Sequence, residues 1–163
     1  MREKHTFEPV FDGDSGILIL GSFPSVKSRE TGFYYGHPQN RFWRVIAELF
    51  GSPVPRSIDE KRELILKNHL ALWDVIQSCE ITGSSDSSIT GVIPNDLDSV
   101  LRHSRIARIV TNGNTAYRLY MKYQREKTGI VPVKLPSTSP ANAAWSLKAL
   151  LDEWRIINTL SEQ

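Results

Sequence analysis

The sequence has very little cysteine, with Cys79 the single one in a chain of 163 residues. One cysteine excludes an intramolecular disulfide, a four-cysteine zinc site and a cysteine-held iron–sulfur cluster within one chain. The four histidines are scattered and do not have the spacing of metal ligands. The sequence therefore predicts a protein with no metal or other cofactor, in which Cys79 packs inside the fold.

Long hydrophobic runs are also missing. The longest clean apolar run is Ile17–Leu20, whereas a membrane span needs roughly 18 or more residues. The N-terminal residues lack the continuous apolar stretch of a signal peptide. We therefore expect no membrane partner and a cytoplasmic location, which agrees with the lone cysteine. The length predicts one domain over residues 1–163, which we expect to act as a monomer.

Neither sign of charge is in large excess, since 20 Lys and Arg stand against 18 Asp and Glu. The charges are nevertheless unevenly placed along the chain. Residues 27–44 and 118–134 are mainly basic, whereas many of the acids lie between residues 59 and 98. This asymmetry suits a face that follows phosphates. A solvated helix surface also explains it, and charge alone favours that simpler interpretation.

Short apolar runs alternate with segments of helical periodicity. Strands are predicted at residues 16–21, 71–76, 105–111 and 130–135. Helices are predicted at residues 41–50, from Ser57 in a capping box with Glu60, at 95–103 with Asn95 as the cap, at 112–127 and at 143–160. This alternation predicts an α/β fold of three layers, α/β/α, with a central, mainly parallel four-stranded sheet. The binding crevice of such a sheet lies beyond the carboxyl ends of its strands.

Two loops are expected at that crevice. The first loop, residues 22–40, is predicted to lack secondary structure, and it is rich in Gly, Pro, Ser and aromatic residues. Phe23, Tyr34 and Tyr35 are candidates for a stacking wall around a planar ligand. Aromatic residues more often pack onto the core, and composition alone favours that alternative.

The second loop, residues 136–142, directly precedes the last predicted helix. Hydroxyl groups and free backbone N–H groups at a helix N-terminus form an anion site. Ordinary helix capping by Ser139 or Asn142 explains much of the same composition. Asp74 and Asp86 are the carboxylates expected near the crevice, and each is more often a loop or capping residue than a catalyst. A P-loop, a Gly-rich dinucleotide fingerprint and a Ser-His-Asp arrangement are all absent from the sequence.

Together the two loops resemble the two signature motifs of the uracil-DNA glycosylase superfamily. The first motif of its mismatch-specific branch, Gly-Ile-Asn-Pro-Gly followed by Phe-Ala-His-Pro-Ala-Asn-Arg-Phe-Trp, is similar to residues 21–25 and 35–43 at the same spacing. The second motif, Asn-Pro-Ser-Gly-Leu-Ser, falls on residues 137–142. The segment from His37 to Trp43 is the most specific part of the match.

The match differs from that branch at the water-positioning asparagine, which is Phe23 here. A phenyl ring cannot orient water, so the pattern instead resembles the hypoxanthine-DNA glycosylase branch, often called family six. That branch relies on the asparagine of the His-Pro-x-Asn segment, here Asn40. Trp73-Asp-Val-Ile and Gly83-Ser-Ser-Asp-Ser-Ser also resemble it. The single cysteine distinguishes this chain from the iron–sulfur members of the superfamily.

The resemblance implies a monofunctional DNA glycosylase of base excision repair. Its expected partner is DNA containing deaminated bases, with hypoxanthine preferred and uracil or xanthine as other substrates. It assigns Asn40 as the catalytic residue and Ser22, Phe23, Tyr35 and His37 as base-binding residues. The residues expected to hold the DNA strand are Ser25, Lys27, Ser137, Thr138, Ser139, Ala141 and Asn142, with Ala141 at the wedge position.

Two other interpretations remain open. One is a catalytically silent DNA-binding module that recognises flipped or damaged bases, which Phe23 in place of the usual asparagine supports. The other is a nucleotide-binding protein with a Rossmann-like fold, which the missing glycine fingerprint disfavours.

Overall fold

The computed structural model describes residues 2–161, in which strands and helices largely alternate. The strands are β1 Arg2–Lys4, β2 Ile17–Gly21, β3 Leu70–Asp74, β4 Ile76–Glu80, β5 Thr90–Pro94, β6 Arg108–Asn112 and β7 Val133–Leu135. The helices are α1 Val26–Thr31, α2 Phe42–Leu49, α3 Ile58–Lys67, α4 Asp98–Leu101, α5 Asn114–Tyr123, α6 Arg125–Thr128, α7 Leu147–Trp154 and α8 Ile156–Ser161. A short 3₁₀ turn covers Asp86–Ser88.

The central sheet has four strands in the order β3-β2-β6-β7, and all its neighbours are parallel. Strand β2 lies in the middle and is buried along its whole length. Its residues point alternately to the two faces, since Ile17 and Ile19 belong to one core cluster and Leu18 and Leu20 to the other. Strands buried on both faces read as continuous apolar runs, which is why this sheet was predictable.

Helices cover the first face of the sheet, and a mixed layer covers the second. The first core cluster joins β2 to α2, α3, α7 and α8, with Trp154 and Phe42 as its largest fully buried members. The second cluster joins β2 to α5 through Tyr120 and to β4 through Ile76 and Cys79. The predicted three-layer architecture and its parallel four-stranded sheet are confirmed.

The helices nearest the first loop form as predicted. On α2 the predicted face is buried, since Phe42, Val45, Ile46 and Leu49 all lie in the core. Helix α3 begins at the predicted capping residue, because the Ser57 hydroxyl accepts a hydrogen bond from the Glu60 N–H at 3.1 Å.

A second, antiparallel sheet of three strands, in the order β1-β4-β5, was not predicted. The predicted strand 71–76 actually ends at Asp74, and Val75 leads directly into β4. No glycine, proline or polar pair interrupts the apolar run there, so the sequence does not signal the change of sheet. Strand β1 is entirely charged, and β5 contains Gly91 and Pro94, so neither has an ordinary strand composition.

Several boundaries in the second half of the chain differ from the prediction. The helix expected at 95–103 is only Asp98–Leu101, and Asn95 does not cap it. Instead the Asn95 amide is buried and donates to the carbonyl oxygens of Asp74 and Ile76. The strand predicted at 105–111 is Arg108–Asn112 in the structure, and the one predicted at 130–135 is Val133–Leu135.

The two long helices predicted at 112–127 and 143–160 are each divided. The first breaks at Gln124, whose buried side chain donates to the Asn95 carbonyl at 2.8 Å. The second is interrupted at Arg155 and begins later than expected. Its true cap is Ser146, whose hydroxyl accepts from the Ala149 N–H at 3.1 Å.

Two further expectations concern single features. Cys79 is fully buried in the second core cluster, and burial raises the pKa of its thiol, so its packing role is confirmed. No helix among residues 2–161 is long and apolar enough to cross a membrane.

Candidate active site

A cleft of about 510 Å³ lies at the carboxyl ends of β2, β3 and β6. This is the edge where a parallel sheet of this kind places its ligands, and the volume is in the range of small-molecule sites. The first and second loops form two of its walls. A third wall is the serine loop, residues 83–88, which follows β4. The cleft is lined by residues 21–25, 28, 34, 35, 37, 40, 74, 84–87, 112 and 137–141.

Another cavity, of about 540 Å³, lies between α4 and the α5–α6 junction. The buried amides of Asn95 and Gln124 at that cavity are used by backbone carbonyls of the fold. These two amides are therefore committed to the fold, whereas the cleft gathers the residues of both sequence motifs. Among the described residues there is no cluster of three His, Cys, Asp or Glu side chains that could hold a metal ion.

Aromatic rings form the floor and sides of the cleft. Tyr35 stacks on Phe42 with ring centroids 4.1 Å apart and planes 25° apart, so one face of its ring is fixed by the core. Its backbone has φ = 54°, an uncommon left-handed conformation for a bulky residue. Phe23 lies almost fully buried in the same cleft, with the Arg29 guanidinium 5.6 Å from its ring centre. The first loop thus packs its aromatics on the core and also presents them to the cleft.

The first loop is more ordered than predicted, because it contains helix α1. The Ser25 hydroxyl caps this helix by accepting from the Ser28 N–H at 3.1 Å. Gly32 ends it in the left-handed conformation, with φ = 76°. This short helix holds Lys27 on its outer surface, where the ammonium lies 3.6 Å from the Glu30 carboxylate.

Asn40 reaches the cleft just before α2. Its Oδ1 accepts a hydrogen bond from the Phe42 N–H at 2.9 Å, which is an Asx turn at the start of the helix. That bond identifies the oxygen, so Nδ2 is the atom left for the cleft. Within residues 2–161 this Nδ2 makes no hydrogen bond to another residue. The backbone therefore fixes one end of the amide and leaves the donor end available to a ligand.

The second loop is held by its own hydroxyls. The Ser137 Oγ accepts from the Ser139 N–H and the Ser139 Oγ accepts from the Ala141 N–H, both at 3.1 Å. Thr138 is fully buried and exchanges two hydrogen bonds with the Asn112 side chain. Because the last helix starts only at Leu147, this loop is not at a helix N-terminus. The prediction that this loop starts the last helix, with Ser139 or Asn142 as its cap, was therefore wrong.

Arg41 joins the two loops. Its guanidinium donates to the carbonyl oxygens of Trp145, Ser139 and Asn142, and its backbone N–H donates to the Thr138 carbonyl at 3.1 Å. The position of the second loop thus depends on the residue that follows Asn40.

The serine loop brings a carboxylate to the mouth of the cleft. The Ser22 hydroxyl donates to Asp86 Oδ1 at 3.3 Å. Partial burial raises the pKa of Asp86, although hydrogen bonds from Ser22 and Thr115 and the charge of Arg118 act in the opposite direction. Arg118 belongs to the basic stretch that the sequence placed at residues 118–134, so that stretch begins beside the cleft.

We expect Asp86→Asn to raise the thermal stability slightly at neutral pH. The folded-state pKa of Asp86 lies above its ordinary value, so the folded protein binds more protons and loses stability as the pH rises through that window. An asparagine does not ionise and removes this loss. Thermal unfolding at pH 7.5 should show a higher Tm for the variant, and the gain should shrink below about pH 4. A gain that grows towards acid pH would contradict the assignment.

The cleft brings together nearly all the predicted site residues. Those that line it are Ser22, Phe23, Ser25, Tyr35, His37, Asn40, Ser137, Thr138, Ser139 and Ala141. Asn142 lines an adjoining cavity on the far side of the second loop. Lys27 does not line the cleft. Tyr34, a candidate for the stacking wall, also lines it, as do Asp74 and Asp86, the carboxylates expected near the crevice. Asn112 and the serines of the serine loop line it without a predicted site role.

Comparison with known proteins gives consistent results. The family model described as the uracil DNA glycosylase superfamily matches residues 8–161. A protein from Methanosarcina acetivorans named hypoxanthine DNA glycosylase is 34% identical over 158 residues, which cover 94% of this chain and 97% of that protein. A protein of the same name from Methanosarcina barkeri is 36% identical over 88 residues, covering 53% of this chain and 56% of its own length.

Solved structures give the same result. The solution NMR structure of a candidate uracil DNA glycosylase from Methanosarcina acetivorans superposes with a TM-score of 0.79 at 30% sequence identity. The superposition covers 97% of this chain and 99% of that one.

Proposed function

This chain belongs to the uracil DNA glycosylase superfamily, and from that premise we propose that it hydrolyses the N-glycosidic bond of hypoxanthine in DNA. Uracil and xanthine are proposed as weaker substrates. The observation that supports the proposal best is Asn40, whose amide Nδ2 bonds to no other described residue and lies in an aromatic-walled cleft. The names of the two Methanosarcina relatives support the choice of hypoxanthine among deaminated bases.

Catalysis begins with a base that leaves the helix stack. Extruding a base costs a few kcal/mol, and less when it is mispaired, as hypoxanthine is opposite thymine. Stacking on an aromatic side chain returns about 1–3 kcal/mol per base. In this protein the free face of Tyr35 and the ring of Phe23 are the surfaces for that stacking. The core holds Tyr35 through Phe42, so its ring needs no reordering when the base enters.

The chemical step breaks the bond between C1′ of the sugar and N9 of hypoxanthine. The electron pair leaves with the purine, the sugar becomes an oxocarbenium-like cation, and water adds its hydroxyl to C1′ while its proton neutralises the base. Donors aimed at the developing negative charge lower this barrier. We assign that task to Asn40 Nδ2, assisted by backbone N–H groups at Ser22 and Phe23. We assign His37, at the cleft edge, to base binding.

We propose a monofunctional reaction, without strand cleavage by the enzyme. Lyase activity requires an amine that forms a Schiff base with the sugar, and no lysine lines the cleft within residues 2–161. The second loop and Ser25 are proposed to hold the DNA strand, with one copy of the chain acting alone. Thr138 contributes to that loop only from inside, because its side chain is buried.

A second candidate is a DNA-binding module that recognises extruded bases without cleaving them. Phe23 favours it, because the ring occupies the position where mismatch-specific relatives carry the asparagine that holds water. The two candidates differ in one measurable product, the free base.

The test is release of free bases from matched duplexes. Four duplexes with one central deoxyinosine, deoxyuridine, deoxyxanthosine or deoxyadenosine are incubated with excess protein, and the released base is measured by mass spectrometry. We expect hypoxanthine to be released fastest, with the strand breaking only after alkali. Tight binding to the deoxyinosine duplex without release of any base would replace the proposal by the silent module. Strand cleavage without alkali would contradict the monofunctional reaction.

A further inference from the structure

The carboxylate of Asp74, at the floor of the cleft, meets a buried imidazole that does not itself line the cleft. His5 Nε2 lies 2.7 Å from Asp74 Oδ2, and the two side chains are only 3% and 5% exposed. We assign the ring nitrogen as the donor, because an ionised carboxylate only accepts hydrogen bonds. His5 is itself surrounded by the rings of Phe7, Phe23 and Tyr34, with centroids 4.6 to 6.3 Å away. The carboxylate therefore has a fixed orientation.

Burying the Asp74 carboxylate beside His5 costs free energy, which favours a functional role for the pair. Burying a charged group carries a desolvation penalty that its attraction to a partner often only balances. A buried pair of this kind is therefore weak as a stabilising device. Asp74 lines the cleft, and His5 bonds to Oδ2 only, so Oδ1 is the oxygen available to a ligand.

The space beside the second oxygen is kept open by a glycine. A Cβ on Gly21 would lie 2.5 Å from Asp74 Oδ1 and 3.3 Å from the Tyr35 hydroxyl, so any larger residue would displace the carboxylate. The Tyr35 hydroxyl is buried and has no hydrogen-bond partner within the described residues. Burial and the charge of Asp74 raise its pKa, and the nearby Asn112 side chain opposes them only weakly, so the phenol keeps its proton. Buried polar groups without partners are rare, and here the unpaired hydroxyl lies beside the carboxylate at the cleft floor.

We propose that Asp74, oriented by His5, accepts the ring N–H of the extruded base and so distinguishes deaminated bases from adenine and cytosine. The inference rests on the proposed function and adds a specificity-determining residue to it. Hypoxanthine carries a proton on N1, xanthine on N1 and uracil on N3. Adenine and cytosine present a lone pair at the corresponding atom.

The discrimination follows from the acceptor-only character of the carboxylate. A ring N–H facing Asp74 replaces the water lost on binding, whereas a ring lone pair leaves two acceptors facing each other in a dry site. A site built to bond one hydrogen strongly rejects the analogue that lacks it. Guanine and thymine also carry a ring N–H, so their exclusion depends on other features, namely the fit of the extra amino or methyl group and the stability of their normal pairs.

The test changes one hydrogen-bonding edge of the substrate and one atom of the protein. Release is measured under single-turnover conditions from duplexes with deoxyinosine or deoxynebularine, a purine nucleoside with no N1 hydrogen and no 6-oxo group. We expect the wild-type protein to release hypoxanthine about 10²-fold faster than purine. In Asp74→Asn the ratio should fall about tenfold or more, because the amide can rotate and donate to N1.

Asp152→Asn is the matched control, because it makes the same change in an exposed carboxylate on α7, outside the cleft. It should leave the hypoxanthine-to-purine ratio at the wild-type value. His5→Gln, which keeps a donor towards Asp74, should retain more discrimination than His5→Leu. If Asp74→Asn does not fold, the comparison of His5→Gln with His5→Leu decides, because it changes only the group that orients Asp74.

The outcomes separate the two proposals. Equal release of both bases by the wild type, or an unchanged ratio in folded Asp74→Asn, overturns the role of Asp74 and leaves the glycosylase intact. No release from either duplex overturns the proposed function, and the role of Asp74 falls with it.

Discussion

Asn40→Asp is expected to release hypoxanthine about 10²–10³-fold more slowly than the wild type, the loss typical of removing one donor to a developing anion. The change keeps the oxygen that accepts from the Phe42 N–H, so the turn into α2 should survive. It removes the Nδ2 donor and places a negative charge where the departing purine becomes negative. Single-turnover release from a deoxyinosine duplex measures the effect, and circular dichroism checks that the protein is folded.

Asn40→Ala separates the structural contribution of the side chain from its chemical one. This variant lacks both ends of the amide. It should be inactive, and its folded state should be about 1 kcal/mol less stable because the cap-like bond is lost. The exposed neighbour Gln39 provides a control, and Gln39→Ala should behave as the wild type in both assays. An Asn40→Asp protein with wild-type release would remove Asn40 from the mechanism.

The features that were predictable from sequence are those with a local or continuous signal. Strand β2 is apolar throughout and ends at Gly21, and α2 has apolar residues at helical spacing. The segment from His37 to Trp43 indicates the family through the order of its residues. These features placed the two loops on one edge of the sheet, and the structure brings them together in one cleft.

The features that could not be predicted depend on contacts distant in sequence. His5 and Asp74 are 69 residues apart, and nothing around His5 marks it as a site residue. It reaches Asp74 because β1 pairs with β4 in the unpredicted sheet, where Lys4 aligns with Ser78. Asp74 looked like an ordinary residue at a strand end, and the sequence around it does not show that it is buried beside His5.

The hydrogen-bond partners of the second loop could not be predicted from the local sequence either. Its serines suggested a cap or an anion site at a helix start, since Ser and Asn are common at both. In the structure those hydroxyls accept from N–H groups inside the loop, and the helix begins only after its cap, Ser146. Local composition identified the loop, but the partner of each hydroxyl depends on a path of the chain that Arg41 fixes from about 100 residues away.

Arg41→Ala should therefore have the largest effect on stability among the single substitutions considered. It removes a charged donor from the carbonyl oxygens of Trp145, Ser139 and Asn142 and leaves them without that partner. Hydrogen bonds to charged groups are worth about 1.5–3 kcal/mol each but are not additive, so we expect a loss of about 3 kcal/mol. In a chain of this size that corresponds to roughly 6–12 °C in Tm, measured by thermal unfolding.

The same substitution tests whether the second loop holds DNA. A loop that must be ordered on binding lowers affinity, so Arg41→Ala should bind a deoxyinosine duplex about tenfold more weakly at a temperature where it is folded. Arg41→Lys keeps the charge but lacks the planar fork that reaches three carbonyl oxygens. Its Tm and its DNA affinity should lie between those of the wild type and of Arg41→Ala. The exposed Arg44 on the same helix is the control for lost charge, and Arg44→Ala should change Tm little. Unchanged DNA affinity in Arg41→Ala, with a lowered Tm, would restrict the second loop to a structural role and leave strand binding to the first loop.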